Sequence, residues 1–124
     1  MLIPTPSRIL VAREAVDFRK QIDGLAAVCE VHLAEAPLDG TLFVFRNRTG
    51  SAVKMLVWTH GGFTMLYKKL ERGRFRWPTL SSDRGTVTPA ELAALLEGID
   101  LSRSERLDRW NPSKKSLDKS STSA

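Results

Sequence analysis

Three apolar runs, residues 42–46 (LFVFR), 53–58 (VKMLVW) and 63–70 (FTMLYKKL), follow one another with only short separators between them. The first separator holds Asn47 and Gly50, the second Gly61 and Gly62. Asparagine and glycine accept the positive φ that tight hairpin turns require, so the spacing predicts three strands of an antiparallel meander. This feature constrains the fold more than any other in the chain.

Strand parity then assigns faces. If each hairpin closes over a four-residue loop, Asn47 pairs with Ala52 and Trp58 with Phe63, and cross-strand partners share a face. One face collects Phe43, Phe45, Lys54, Leu56, Trp58, Phe63, Met65 and Tyr67. The other collects Leu42, Val44, Arg46, Val53, Met55, Val57, Thr64 and Leu66. The aliphatic set suits a helix packed over it. The aromatic set is either a second buried layer or an exposed platform.

The flanking segments supply helices. Residues 8–12 (RILVA) form a candidate strand. Beyond it, Ile22, Leu25, Ala26, Cys29 and Leu33 recur at helical spacing, with Asp17 as the expected amino-terminal cap. Gly24 inside this helix costs about 1 kcal/mol relative to alanine, which points to a close approach or a functional contact there. In the segment 70–78, Arg72, Arg74 and Arg76 alternate with Gly73, Phe75 and Trp77, so an extended chain directs the arginines to one side. Residues 79–87 read as a polar loop turning at Asp83-Arg84-Gly85. Thr88-Pro89-Ala90-Glu91 is a capping box opening a second amphipathic helix with Leu92, Leu95, Leu96 and Ile99 on its stripe. Residues 102–110 can be read as a further short helix. The expected architecture is an α+β domain over residues 1–110, a small antiparallel sheet of three to five strands packed with two amphipathic helices. A disordered tail is expected over 111–124.

Charge is unevenly distributed along the 124 residues. Arg46, Arg48, Lys54, Lys68, Lys69, Arg72, Arg74 and Arg76 face a single acid, Glu71, between positions 42 and 77. That region carries +7 where the whole chain carries +5, so the remainder sums to −2. A pI near 9.8 with this asymmetry points to a polyanionic partner, above all nucleic acid, against the plainer reading of a solvated basic face. Lysine and arginine neutralise phosphates while aromatic faces stack on unpaired bases. The other reading of Phe43, Phe45, Trp58 and Tyr67 is hydrophobic core, and for most of them the size of the domain favours it.

Enzymatic chemistry finds little support. His32 and His60 fall in no metal-ligand spacing, and one cysteine is too few soft ligands for a zinc site. No glycine-rich phosphate loop is present. Asp17 and Asp23 are six apart with Arg19 and Lys20 between them, which suits caps and salt bridges better than acid–base work. No cofactor or metal is expected. The lone Cys29 and the absence of a signal-peptide pattern or a long apolar span make the cytoplasm the expected location.

Four blocks, VDFRKQIDGLAAV (16–28), LFVFRNRTGSAVKMLVWTHGGF (42–63), YKKLERGRFRWP (67–78) and TPAELAALLEGID (88–100), together resemble the TnpB accessory protein, also called Orf2-like, of the insertion-sequence 66 family of transposons. The resemblance implies a small protein encoded beside a large transposase and needed for efficient transposition. It carries no assigned catalytic residues. Gln21 departs from the glycine usual in the family's DxRKGxDGL pattern, and is expected to restore helix at that point.

Two functional readings follow. The first is a DNA-binding factor that assists the transposase at transposon ends, with Arg46, Arg48, Lys54, Lys68, Lys69, Arg72, Arg74 and Arg76 as phosphate contacts. The second is an adaptor that binds the transposase through its aromatic face or second helix without touching DNA.

Overall fold

The computed structural model describes residues 5–37, 40–100 and 105–106. Five strands form one mixed sheet: β1 (Arg8–Ala12), β2 (Thr41–Arg46), β3 (Ala52–Thr59), β4 (Gly62–Lys69) and β5 (Arg84–Val87), in the spatial order β4-β3-β2-β1-β5. Helix α1 (Ile22–Val31) connects β1 to β2, and α2 (Pro89–Glu97) follows β5. Two short strands, β6 (Ile99–Asp100) and β7 (Glu105–Arg106), pair separately. Among the described residues no helix is long and apolar enough to cross a membrane.

The meander forms in the register that strand parity gives. Val44 lies opposite Met55 and Phe45 opposite Lys54 across β2–β3, and Trp58 lies opposite Phe63 across β3–β4. At the first turn the Asn47 amide donates to the Ala52 carbonyl at 3.1 Å, and the Asn47 side-chain oxygen accepts from the Ala52 amide at 3.1 Å. At the second, His60 (φ 45°) and Gly61 (φ 86°) are both left-handed, the geometry of a two-residue hairpin turn whose twist matches the strands.

The sheet is not antiparallel throughout. β1 runs parallel to β2, with Leu10 beside Phe43, because a helical connection of this length lets the chain cross over and re-enter in the same direction. β5 then adds antiparallel to the outer edge of β1. Residues 84–87 thus form a strand rather than the turn expected at Asp83-Arg84-Gly85. β1 supplies its backbone partners, a non-local pairing that local turn chemistry does not register.

Both faces of the sheet are covered. The face with Phe43, Phe45 and Leu56 packs with Leu10 and Ala12 beneath Leu25, Val28 and Cys29 of α1. This is the buried layer of the two alternatives for the aromatic side. The opposite face, with Val44, Val53, Met55 and Val57, packs beneath Leu95 of α2 together with Leu70 and Phe75. Phe43 and Phe45 have no exposed surface, so truncating either to alanine costs about 3–5 kcal/mol. Burial also pushes the Cys29 thiol up to about 12, leaving it a packing group rather than a nucleophile.

The helix starts differ in how well they follow sequence rules. Thr88 caps α2 as expected: its hydroxyl accepts from the Glu91 amide at 3.1 Å, and the Glu91 carboxylate accepts from the Thr88 amide at 2.8 Å. Asp17 does not cap α1. Its carboxylate accepts instead from the Arg19 amide at 2.9 Å and from the Arg19 guanidinium, closing a turn before the helix. That guanidinium holds the Asp17 carboxyl down at about 2. Gln21 is the extended N-cap residue, so α1 begins at Ile22 and Gln21 restores no helix. Gly24 does sit at a close approach: a Cβ there would stand 3.0 Å from Lys20 Cβ, so the turn before the helix would have to give by a few tenths of an ångström. Of residues 102–110, only Glu105 and Arg106 are described, as β7; the rest of that expected helix and the expected tail lie outside the described residues.

Candidate nucleic-acid interface

One end of the sheet gathers the basic segments. The β2–β3 turn, the end of β4 and the chain from Leu70 to Trp77 meet there because backbone hydrogen bonds tie them together. The Leu70 amide donates to the Ser51 carbonyl at 2.9 Å, and the Phe75 amide donates to the Gly50 carbonyl at 2.8 Å. Arg74 exchanges backbone hydrogen bonds with Ile99 at 3.0 and 2.7 Å. The expected alternation holds: Phe75 is buried in the core and Trp77 half-buried, whereas Arg72, Arg74 and Arg76 are exposed. The Trp77 indole N–H donates to the Ala12 carbonyl at 2.8 Å, anchoring the segment to β1.

Arg46, Arg48, Arg74 and Arg76 line a single cleft of about 450 Å³, together with Thr49, Gly50, Phe75, Trp77 and Ile99. None of these lining residues is acidic. Arg46 is oriented from inside the fold: its guanidinium donates to the Arg13 carbonyl at 3.2 Å and lies 5.8 Å from the centre of the Trp77 ring. Among the described residues no carboxylate pairs with any of the four. Four arginines lining one cleft with no acidic residue in the lining give it the charge to accept a phosphate or other anion.

The remaining basic residues divide. Lys68 and Lys69 are exposed at the end of β4, adjoining the same region, and the Lys68 ammonium donates to the Leu96 carbonyl at 2.8 Å. Arg72 is exposed just beyond them. Lys54 is different. It is 3% exposed, and its ammonium donates to the carbonyls of Phe18 at 3.0 Å and Lys20 at 2.9 Å. It also lies 5.0 Å from the Phe18 ring centre and 5.5 Å from that of Tyr67. Its cation is consumed inside the fold, so Lys54 leaves the set of phosphate contacts.

Sequence reasoning missed the inner wall of the cleft. Alternation puts Trp77 on the side away from the arginines and helical spacing puts Ile99 on the stripe of the second helix, and nothing in the local pattern brings Ile99 beside Arg74. Arg48 also borders a neighbouring hollow of about 370 Å³ formed with residues 15–19, where Asp17 neutralises Arg19. Among the described residues no cluster of three His, Cys, Asp or Glu is placed to hold a metal ion.

The sheet, its helices and this end together define a small basic α+β protein with an arginine-lined cleft at one end of its sheet. The chain belongs to the IS66 Orf2-like family, whose model matches residues 7–106, and is thereby an accessory protein of an insertion sequence. It is similar to two proteins of Sinorhizobium fredii (strain NBRC 101917 / NGR234). Uncharacterized protein y4hO is 39% identical over 86% of this chain and 91% of that protein; Uncharacterized protein y4jC is 33% identical over 86% and 92%. No solved structure matches the chain.

Proposed function

We propose that the protein is a DNA-binding factor that assists the transposase at transposon ends, gripping phosphates with its basic end. The observation that carries this reading is the convergence of Arg46, Arg48, Arg74 and Arg76 on one cleft whose lining contains no acid. Exposed Arg72, Lys68 and Lys69 extend the positive region along the same end. A salt titration of binding to the element's end sequence, with an unrelated duplex as control, tests it. About four phosphate contacts give a slope of log affinity against log salt near −3.6. A slope near zero on both duplexes rejects the reading.

A second reading, an adaptor that binds the transposase without contacting DNA, is favoured by Tyr67, which is 58% exposed on edge strand β4. Aromatic side chains at the centre of protein interfaces carry much of the binding energy. Tyr67→Ala weakens transposase pull-down under this reading, while reversal of Arg72, Arg74 and Arg76 leaves it intact. Under the first reading the reversal abolishes DNA binding and Tyr67→Ala leaves it unchanged.

A further inference from the structure

A second cleft shares part of its wall with the cationic one. Arg76, Trp77 and Ile99 also wall this second cleft, of about 520 Å³, whose other side is formed by Pro78, Val87 and Leu95 with Ala94 at its rim. Three residues are common to both spaces, so a dense positive compartment and a mainly apolar one stand side by side. Each is of the size that holds a small ligand. An occupant of both must place a concentrated negative group directly beside a flat apolar body.

One nucleotide of an unpaired strand has that form, with phosphate and base in a single unit. A base stacked within a duplex does not present its face. An acidic peptide would match the arginines, but Glu91 lines the apolar compartment and would oppose it. The Glu91 carboxylate accepts from the Thr88 amide, which fixes that charge in place. A base brings no negative charge to that wall. Resting on the nucleic-acid reading above, we infer that the two adjoining clefts together hold an unpaired nucleotide of DNA. Its phosphate lies on Arg46, Arg48 and Arg74, and its base enters the apolar compartment beside Trp77. The protein thus prefers single-stranded overhangs to fully paired duplex.

The test compares the full chain's affinity for a blunt duplex and for the same duplex carrying a single-stranded thymidine overhang. Stacking of one base corresponds to a preference of about tenfold for the overhang. Ala94→Trp fills the apolar compartment from an exposed position of α2, with little disturbance of the core. It abolishes the preference while blunt-duplex affinity stays unchanged. Arg74→Glu combined with Arg76→Glu weakens both substrates. Equal, salt-dependent binding of the two duplexes by the unaltered protein overturns this inference and leaves the DNA-binding reading standing. Failure to bind either overturns both. Binding of an aspartate-rich peptide that Ala94→Trp blocks, without any overhang preference, overturns the nucleotide in favour of a protein ligand.

Discussion

The ammonium of Lys54 donates a 2.9 Å hydrogen bond to the backbone carbonyl of Lys20, joining the middle of β3 to the turn that precedes α1. A second bond, to the Phe18 carbonyl at 3.0 Å, closes the same junction, and the rings of Phe18 and Tyr67 stand over the cation 6.1 Å from each other. This charge sits on the aromatic face of the sheet, where water is largely excluded.

Replacing Lys54 with methionine keeps the stem and removes the donor, leaving two carbonyls short of a partner. The expected loss is about 2–3 kcal/mol in urea unfolding. The salt dependence of DNA binding should be unchanged, because the cation faces inward. A weakened salt slope with normal stability would show that Lys54 reaches phosphate after all.

Arg48 and Arg74 approach the cationic cleft from opposite segments. Changing both to alanine removes two contacts of about four, so the salt slope should fall from near −3.6 to about −1.8. Both side chains are exposed, and the melting temperature should move little. A slope that stays near −3.6 places the phosphate contacts elsewhere.

Glu35 accepts from Arg8 at 2.7 Å and from Arg84 at 2.9 Å, clamping the end of the α1 connection to both β1 and β5. The Arg8 hydrogen bond is the main cause holding its carboxyl below the ordinary glutamate value of 4.5. A lowered folded-state value means the clamp contributes above that ordinary value and is lost as the pH falls through the lowered one. Glu35→Gln should therefore be less stable than the unaltered protein at neutral pH, and the difference in melting temperature should shrink on acidification. A difference independent of pH would mean the carboxylate's charge plays no part.

Thr88→Ala removes the hydroxyl that caps α2, at an expected loss of about 1 kcal/mol in thermal or denaturant unfolding. Thr88→Asn, which can still accept from the helix amides, should recover most of it. Equal losses in the two variants would assign the effect to packing.

The parts of the fold legible in the sequence are those set by local rules. The Asn47 and Gly61 turns fix the meander register, and with it which side chains share a face. Thr88-Pro89-Ala90-Glu91 announces α2 because both halves of its cap lie within one turn of chain. What escaped depends on distant partners: β5 is a strand only because β1 offers an edge, and Asp17 serves Arg19 rather than α1. The candidate site was legible in its cations and not in its shape. Arg74 and Arg76 stood out by alternation with Phe75 and Trp77, whereas the cleft exists only because the Phe75 amide bonds the Gly50 carbonyl. Lys54 carried a warning, since a lone lysine among Phe43, Phe45 and Leu56 at inward spacing is already marked for burial.

The sheet wears a covering on each side, α1 over one and α2 with the chain around Phe75 over the other. The arginine-lined cleft accordingly lies at an end of the sheet, among turns and strand termini, and not on either packed face. Of the arginines there, Arg48, Arg74 and Arg76 are exposed and belong to neither packed layer. Exchange of those exposed arginines would therefore change the charge of the cleft while leaving both packed layers of the sheet intact.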